Sequence, residues 1–421
     1  MMRFAILFLL CLAPRVVLRA EDFQGAGHKL EYEAAPIKYH EQTPDDPVAR
    51  LQHRLAAGEA KLEFDERHGY LPALLAELKV PASSQALVFS KTSFQRAFIS
   101  PENPRGIYFS DDVYIGYIPG APAVEISAID PKLGAVFYKL DNEKVRRPRF
   151  VRDQDCLRCH GAQRTLGVPG TFVRSIGTDE SGELETQSEV NDIDHCTPLA
   201  DRWGGWFVTG LSGPQTHRGN LIGGSAFKRH TKEPGYLGNL TELSQFFDPA
   251  KHLRGTSDIV ALMVLEHQGK MHNYITRLGY ETQLMVHTYG HTRYLTSQVN
   301  AFLRFLLFVE EAPLTAPVAG DPEFVADFTA PALRDTKGRS LRDLDLQTRM
   351  FKHPCSYLIY SPAFDAMPAV MREQLLQRLH AVLTGKDRDP QFARLGDEDR
   401  ASILEILRET KPSLPDYWRG S

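Results

Sequence analysis

The chain has 421 residues, of which 42% are hydrophobic and 24% charged, as expected for a soluble globular protein of two or three domains. The formal net charge of -4 at pH 7 provides no basic surface at the level of composition. This charge balance argues against nucleic acid as a partner.

The first twenty residues, 1–20, predict a secretory signal peptide. Arg3 precedes an apolar run from Phe4 to Ala13, which is too short to span a bilayer, and Ala20 offers a cleavage residue. A buried N-terminal helix is the alternative. We expect an exported protein, periplasmic or otherwise extracytoplasmic, with no membrane span after the signal is removed.

Residues 21–80 predict an N-terminal extension followed by helices. The extension is polar and contains proline, and from Pro47 to Leu78 apolar residues recur at spacings of three and four. Such spacing places them on one face of an α-helix.

From residue 81 to 238 the pattern changes to strands. The runs ALVFS, VYIGYIP, AVEISAID and GAVFYKLD are rich in Val, Ile, Phe and Tyr. The last two predict a hairpin, because apolar and polar residues alternate from Val124 and the sequence PKLG supplies the turn. We expect a small antiparallel sheet in this segment.

The remaining chain predicts mainly helices. Residues 239–311 carry long apolar stripes of helical period, and residues 323–421 end in two amphipathic helices. Between them, 312–322 is rich in Pro, Ala and Gly and predicts a linker. The expected fold class is therefore α+β, with a strand-rich domain followed by helical regions.

Within the strand-rich segment, Cys156, Cys159 and His160 form a C-x-x-C-H motif. This motif attaches haem c: two thioether bonds reach one porphyrin edge, and the histidine that follows becomes the proximal iron ligand. A chain of this composition would contain about 0.002 such motifs by chance. The motif occurs once, so we expect one covalent haem.

Two other interpretations of these cysteines stay open. A structural zinc site would need a second close pair of ligands, whereas Cys196 and Cys355 are isolated, although Cys196 follows Asp-His. A thioredoxin-like redox pair would need a βαβ setting, whereas the motif follows the basic, proline-broken sequence RRPRFVRDQD. Cys196 and Cys355 could also form a disulfide, which the sequence does not decide.

The motif CLRCHG resembles the attachment site of monohaem c-type cytochromes. The phrases YIGYIPGAPAVEISAIDPKLGAVFYKLD, RWGGWFVTG and PCSYLIYSPAFDAMP resemble large, exported bacterial proteins that carry a cytochrome c domain. This resemblance implies haem binding and electron transfer. A sheet followed by C-x-x-C-H is also similar to haem-bearing sensor modules of PAS-like shape. The last helices of 323–421 are similar to those that close a cytochrome c domain, although that segment has no haem motif.

The sequence offers several candidates for the sixth iron ligand. In small cytochromes c a methionine later in the same domain supplies it, but here the first methionine after His160 is Met263. Each candidate also fits an ordinary structural role, and an open sixth position is the alternative. The candidates are His195, His217, His267 and Met271.

The sequence RWGGWFVTG suggests a haem wall. Trp203, Trp206 and Phe207 would give flat apolar surface, with Arg202 or Arg218 reaching a haem propionate. The alternative is a twisted hairpin whose aromatic residues belong to an ordinary core.

We therefore expect an exported monohaem c-type cytochrome that carries electrons, and not a catalyst. A redox protein or a small redox molecule would be its partner. A haem-based sensor with an open sixth position is a second hypothesis. A peroxidase-like enzyme is a third, and its acid–base residues would come from His195, His217 and Arg218. Hydrolase and phosphate-loop motifs are missing from the sequence.

Overall fold

The computed structural model describes residues 30–185 and 190–419. The described chain is mixed α/β, with a six-stranded antiparallel sheet, a two-stranded sheet and ten α-helices. This confirms the expected combination of a strand-rich segment with helical regions. The signal peptide predicted for 1–20 lies outside the described residues.

Six strands that follow one another along the chain form the larger sheet: β1 (Ala86–Val88), β2 (Arg105–Phe109), β3 (Val113–Tyr117), β4 (Ala123–Asp130), β5 (Gly134–Asp141) and β6 (Phe150–Arg152). The predicted hairpin is β4–β5, in which Asp130 lies opposite Gly134. Gly134 has φ +71°, and a Cβ there would lie 2.4 Å from Oγ1 of Thr276, so only glycine fits this turn.

The second sheet pairs β7 (Val173–Ile176) with β8 (Val190–Ile193). The helices of the described chain are α1 (Pro47–Ala57), α2 (Leu71–Glu77), α3 (Leu157–His160), α4 (Gly223–Lys232), α5 (Ile259–Tyr289), α6 (Thr296–Leu306), α7 (Pro322–Thr329), α8 (Pro362–Asp365), α9 (Ala369–Leu383) and α10 (Asp397–Thr410). None of them is long and apolar enough to span a bilayer.

Helix α5 is the central element of the fold. It begins after Asp258, whose carboxylate accepts the backbone N–H of Ala261 at 2.8 Å, and it ends at Gly290, which has φ +72°. Most of its residues through Thr282 are buried on every side, as in a helix enclosed by other elements. Its Tyr280 hydroxyl donates to the carbonyl of Leu133, which connects the helix to the β4–β5 turn.

One hydrophobic core extends from Leu30 to Trp418, so the N-terminal, strand-rich and C-terminal segments share it. The segment 312–322, predicted as a linker, is part of this packing. Its Leu314 and Val318 are buried, and their N–H groups donate to the carbonyls of Thr348 and Leu346.

His252 is buried beside the sheet with no hydrogen-bond partner for either ring nitrogen among the described residues. Burial lowers its pKa from 6.5 to about 4. We expect His252→Phe to stabilise the protein by about 1–2 kcal/mol at pH 7, because two unsatisfied polar atoms are removed. The gain should grow by about 1.4 kcal/mol per pH unit between pH 6.5 and 4.

The stability of the wild type falls as the pH falls, because the folded and unfolded chains bind different numbers of protons. Below pH 6.5 the unfolded chain protonates His252 and the folded chain does not until about pH 4, so the wild type loses stability there and the variant does not. Urea unfolding at pH 5 and pH 8 measures the difference. The exposed control His53→Phe should change stability by less than about 0.5 kcal/mol at both pH values. An equal gain from His252→Phe at both pH values would contradict the prediction.

Candidate haem site

The C-x-x-C-H motif forms one turn of helix just after the edge strand β6. Cys156 precedes α3, and its carbonyl accepts the backbone N–H groups of Cys159 at 3.2 Å and His160 at 2.9 Å. Cys156 and His160 are therefore four residues apart on the same side of the turn. Cys156 is half-buried and Cys159 is exposed.

One nitrogen of the His160 imidazole is hydrogen-bonded to the backbone, and the other is free to act as a ligand. Its Nδ1 lies 2.9 Å from the carbonyl oxygen of Gly170, and because a carbonyl only accepts, Nδ1 must be the donor. Nε2 makes no hydrogen bond to any described residue. The ring packs between Phe137 and Phe172, at 5.0 and 4.8 Å between centroids. Burial lowers the pKa of His160 to about 4, which keeps the imidazole neutral, as iron ligation requires.

A second layer of contacts positions the Gly170 carbonyl. On α5, the Asn273 amide accepts the N–H of Thr171 at 3.1 Å and donates to the Thr171 carbonyl at 2.7 Å. A Cβ at Gly170 would lie 2.0 Å from Oδ1 of Asn273, so the close approach needs glycine. Asn273 thus orients His160 through the backbone, although it lies more than a hundred residues away in sequence.

Cys156, Cys159 and His160 line one cavity of about 360 Å³. That volume is within the range of about 300–1,000 Å³ typical of small-molecule and cofactor sites. One face of the larger sheet forms part of the wall, and its polar groups include the Arg105–Glu125 ion pair, 2.5 Å between Nη2 and Oε2. Apolar lining comes from Val88, Phe94, Ile107, Phe137, Phe172, Val173, Ile176, Trp206 and Leu265.

The residues present fit a covalently attached haem. Both cysteines and His160 line the cavity, and burial raises the pKa of the Cys156 thiol to about 12, so this cysteine stays protonated. Arg174 also lines the cavity, with its guanidinium 5.3 Å from the centre of the Phe172 ring. Its side chain forms no ion pair with the described residues, so it is available for a carboxylate such as a propionate.

The four sixth-ligand candidates lie outside the lining of this cavity. His195 and His267 form a buried pair, 2.9 Å between their Nδ1 atoms, and Nε2 of His267 contacts Ser356. His217 accepts the N–H of Gly219 at its Nδ1. Met271 is fully buried in the hydrophobic core.

Of the suggested haem wall, Trp206 borders the cavity, and Trp203 and Phe207 do not. Trp203 donates its indole N–H to Glu266 at 3.1 Å, and Arg202 forms a buried ion pair with the same carboxylate. Arg202 and Arg218, the two arginines suggested as partners of a haem propionate, do not line the cavity. Arg218 instead pairs with Asp201 at 2.8 Å.

The sequence pattern missed the residues that the sheet brings to the site. Arg105 on β2 reaches Glu125 on β4 across Gly116 of β3, where a Cβ would lie 2.3 Å from Nη2 of Arg105. Alternation within β3 places Tyr114 and Gly116 on one face, and this much can be predicted from the sequence. Only the register shows that this face is also the face of Glu125.

In 30–185 and 190–419, no three His, Cys, Asp or Glu side chains are arranged to hold a metal ion by themselves. A haem needs only an axial ligand from the protein, since the porphyrin supplies four nitrogens. Comparison with known proteins identifies no relative: no family model, curated protein or solved structure matches the chain significantly.

Proposed function

We propose that this protein binds one covalent haem c through thioether bonds from Cys156 and Cys159, with His160 as the proximal ligand. The observation that carries the proposal is the state of His160. Its Nδ1 donates to Gly170, its imidazole is neutral, its Nε2 has no hydrogen bond to a described residue, and His160 lines the same cavity as both cysteines. A structural zinc site would orient its histidine in the same way, but it needs four protein ligands, and the described residues contain no group of three or more His, Cys, Asp or Glu side chains placed to hold a metal ion. A thioredoxin-like redox pair gives this histidine no role.

When bound, haem supplies a one-electron redox centre; the chain's residues hold it and determine its surroundings. The two cysteines anchor one porphyrin edge, and the Gly170 carbonyl fixes the His160 ring. Apolar side chains form part of the cavity wall, and apolar surroundings would influence the reduction potential of a bound haem. Arg174 is the residue we assign to a propionate.

Electron transfer is the function that we propose for this haem, with a redox protein or small redox molecule as partner. Cys159 is exposed, so a porphyrin edge attached to it would lie near the surface, where a partner can approach. Export to the periplasm is part of the same proposal, because haem c is attached outside the cytoplasm. We propose an electron carrier and not a catalyst.

A second candidate is a haem-based protein that binds a small ligand, such as a sensor of PAS-like shape. Its support is the lining of the cavity, where the described residues include no methionine and no histidine besides His160. The residues named for a peroxidase-like enzyme lie outside that lining: His195, His217 and Arg218.

Absorption spectra of the protein, produced together with a haem-attachment system, test the proposal. We expect a c-type haem spectrum that persists after denaturation and acid–acetone extraction, because thioether bonds survive both treatments. Addition of carbon monoxide to the reduced protein separates the two candidates. An unchanged spectrum supports electron transfer with a sixth protein ligand, and ready binding supports the small-ligand function. A wild-type protein without covalent haem would overturn the proposal.

A further inference from the structure

The mouth of the haem cavity is marked by the lining residues that are also exposed to solvent. Among the described residues these are Thr92, Phe94, Arg96 and Cys159. The Phe94 side chain is 56% exposed, and Arg96 forms no ion pair with a described residue. A porphyrin edge attached to Cys159 would therefore lie at this mouth, beside an exposed aromatic ring and an unpaired cation.

The edge of the larger sheet continues the mouth outward. Glu125 on β4, Lys139 on β5 and Val151 on β6 lie directly opposite one another, so they share the face that lines the cavity. The Lys139 ammonium lies 5.7 Å from the centre of the Phe94 ring and pairs with Asp153. Val151, at the edge of this row, is 63% exposed. Phe94 and Val151 thus place exposed apolar surface on two sides of Lys139, and grouped exposed apolar side chains are typical of interaction sites.

Positive charge surrounds this apolar surface. Residues 139–159 contain seven Lys and Arg and four Asp and Glu, a net charge of +3, whereas the whole chain has a net charge of -4. Arg146, Arg147 and Arg149, between β5 and β6, are exposed and form no ion pair or side-chain hydrogen bond with a described residue. Arg149 directly precedes β6, about 7 Å along the strand from Val151. Unpaired arginines therefore lie beside the apolar surface in an otherwise acidic chain.

We propose that the apolar and basic surface around this mouth docks an acidic redox protein. This rim surface consists of Phe94, Arg96, Arg146, Arg147, Arg149 and Val151. The proposal rests on the proposed haem and names the partner class for it. An acidic protein is favoured over an anionic lipid, because an electron carrier needs its redox partner at the mouth of the haem cavity.

The physical basis is complementary charge around a small apolar contact. Opposite charge speeds the encounter and orients the two proteins, and electron-transfer encounters bury less than about 1,200 Å² in total. Exposed Phe94 and Val151 supply the apolar contact, and the arginines supply the charge. One electron then passes between the haem and the partner, so one is oxidised as the other is reduced, and no bond or proton is transferred.

Plastocyanin, an acidic copper protein, serves as the probe in a zinc-substituted form that binds without electron transfer. Replacing three arginines together, Arg146→Gln, Arg147→Gln and Arg149→Gln, should raise its Kd for the holoprotein about tenfold at an ionic strength of about 10 mM, where charges attract over about 30 Å. At about 0.5 M salt the difference should disappear, because salt screens the attraction. Titration calorimetry measures both values.

The matched control removes the same charge elsewhere, with Arg293→Gln, Lys386→Gln and Arg388→Gln. These side chains are exposed, form no ion pair with a described residue and lie outside the cavity lining, so the Kd should change less than about twofold. Val151→Ser tests the apolar part of the rim surface. It should weaken binding about threefold at both ionic strengths, because salt does not screen an apolar contact.

With copper in place of zinc, stopped-flow absorption follows the transfer of one electron from the reduced holoprotein to Cu(II), and its rate should fall in parallel with binding. A holoprotein that does not bind the probe overturns the rim surface and leaves the haem assignment standing. Equal effects of the arginine variant and its control do the same, and so does binding to phosphatidylserine vesicles in place of the probe. A wild-type protein without covalent haem overturns both proposals.

Discussion

Replacing both motif cysteines, Cys156→Ala with Cys159→Ala, is expected to yield a protein without covalent haem. Thioether bonds form only at cysteine sulfurs, and these two lie at the same cavity as the histidine ligand. His160 alone would hold haem only reversibly. Acid–acetone extraction followed by mass spectrometry should therefore show the bare polypeptide mass in the double variant and the mass with one haem in the wild type.

Each single variant should retain at most one thioether bond and show a shifted haem spectrum, since one vinyl group stays unsaturated. Cys196→Ser is the matched control, because Cys196 does not line the cavity and should not affect attachment. Haem that resists extraction in the double variant would contradict the assignment of the motif. So would loss of haem in the control alone.

The second large effect is expected at the buried ion pair between Arg202 and Glu266. Both side chains are almost fully buried, and Arg202 also donates to the carbonyls of Thr197 at 2.7 Å and His195 at 3.1 Å. Arg202→Met should lower the free energy of unfolding by about 3–5 kcal/mol, because it leaves the Glu266 carboxylate buried without its cation. Urea unfolding monitored by tryptophan fluorescence measures this loss.

The loss should depend on pH. Burial already raises the pKa of Glu266 to about 7, even though Arg202 lowers it, so removing the arginine raises the pKa further. A group whose folded pKa is raised adds stability at low pH and loses it as pH rises, so Arg202→Met should be more destabilising at pH 8 than at pH 5. Equal losses at both pH values would contradict this account.

Two comparisons identify the cause. The double variant Arg202→Met with Glu266→Leu should be more stable than Arg202→Met at pH 8, because it leaves no unpaired buried charge at this position. At the half-exposed pair of Arg218 with Asp201, Arg218→Met should cost less than about 1 kcal/mol. If the double variant is less stable than Arg202→Met, the loss of stability comes from lost packing and hydrogen bonds, and not from the unpaired carboxylate of Glu266.

Local features of the fold follow directly from the sequence. The β4–β5 hairpin was predicted from alternation and a four-residue turn, and the structure confirms it with Asp130 opposite Gly134. The apolar stripes of helical period predicted in 239–311 include α5, which begins at Ile259. Such features are predictable because neighbouring residues determine them.

The site was predictable only in part. Cys156, Cys159 and His160 are recognisable because the chemistry of attachment requires fixed spacing along the chain. His195 and His217 are candidates by residue type and by closeness in sequence, and His267 and Met271 are candidates by residue type and helical spacing. None of these properties shows which side chains enter a cavity. Their positions outside the lining follow from packing of α5 and its neighbours.

By itself, the sequence determined the C-x-x-C-H spacing and the types of its local elements, because both depend on residues a few positions apart. The tertiary structure decided the surroundings of the motif. Asn273 of α5 holds the loop that contains Gly170, the hydrogen-bond partner of His160. Tyr114, Arg105 and Glu125 share a face of the sheet only because the strands pair in one register. A shift of one residue in that register would turn those side chains to the opposite face, so long-range pairing determines which groups line the cavity.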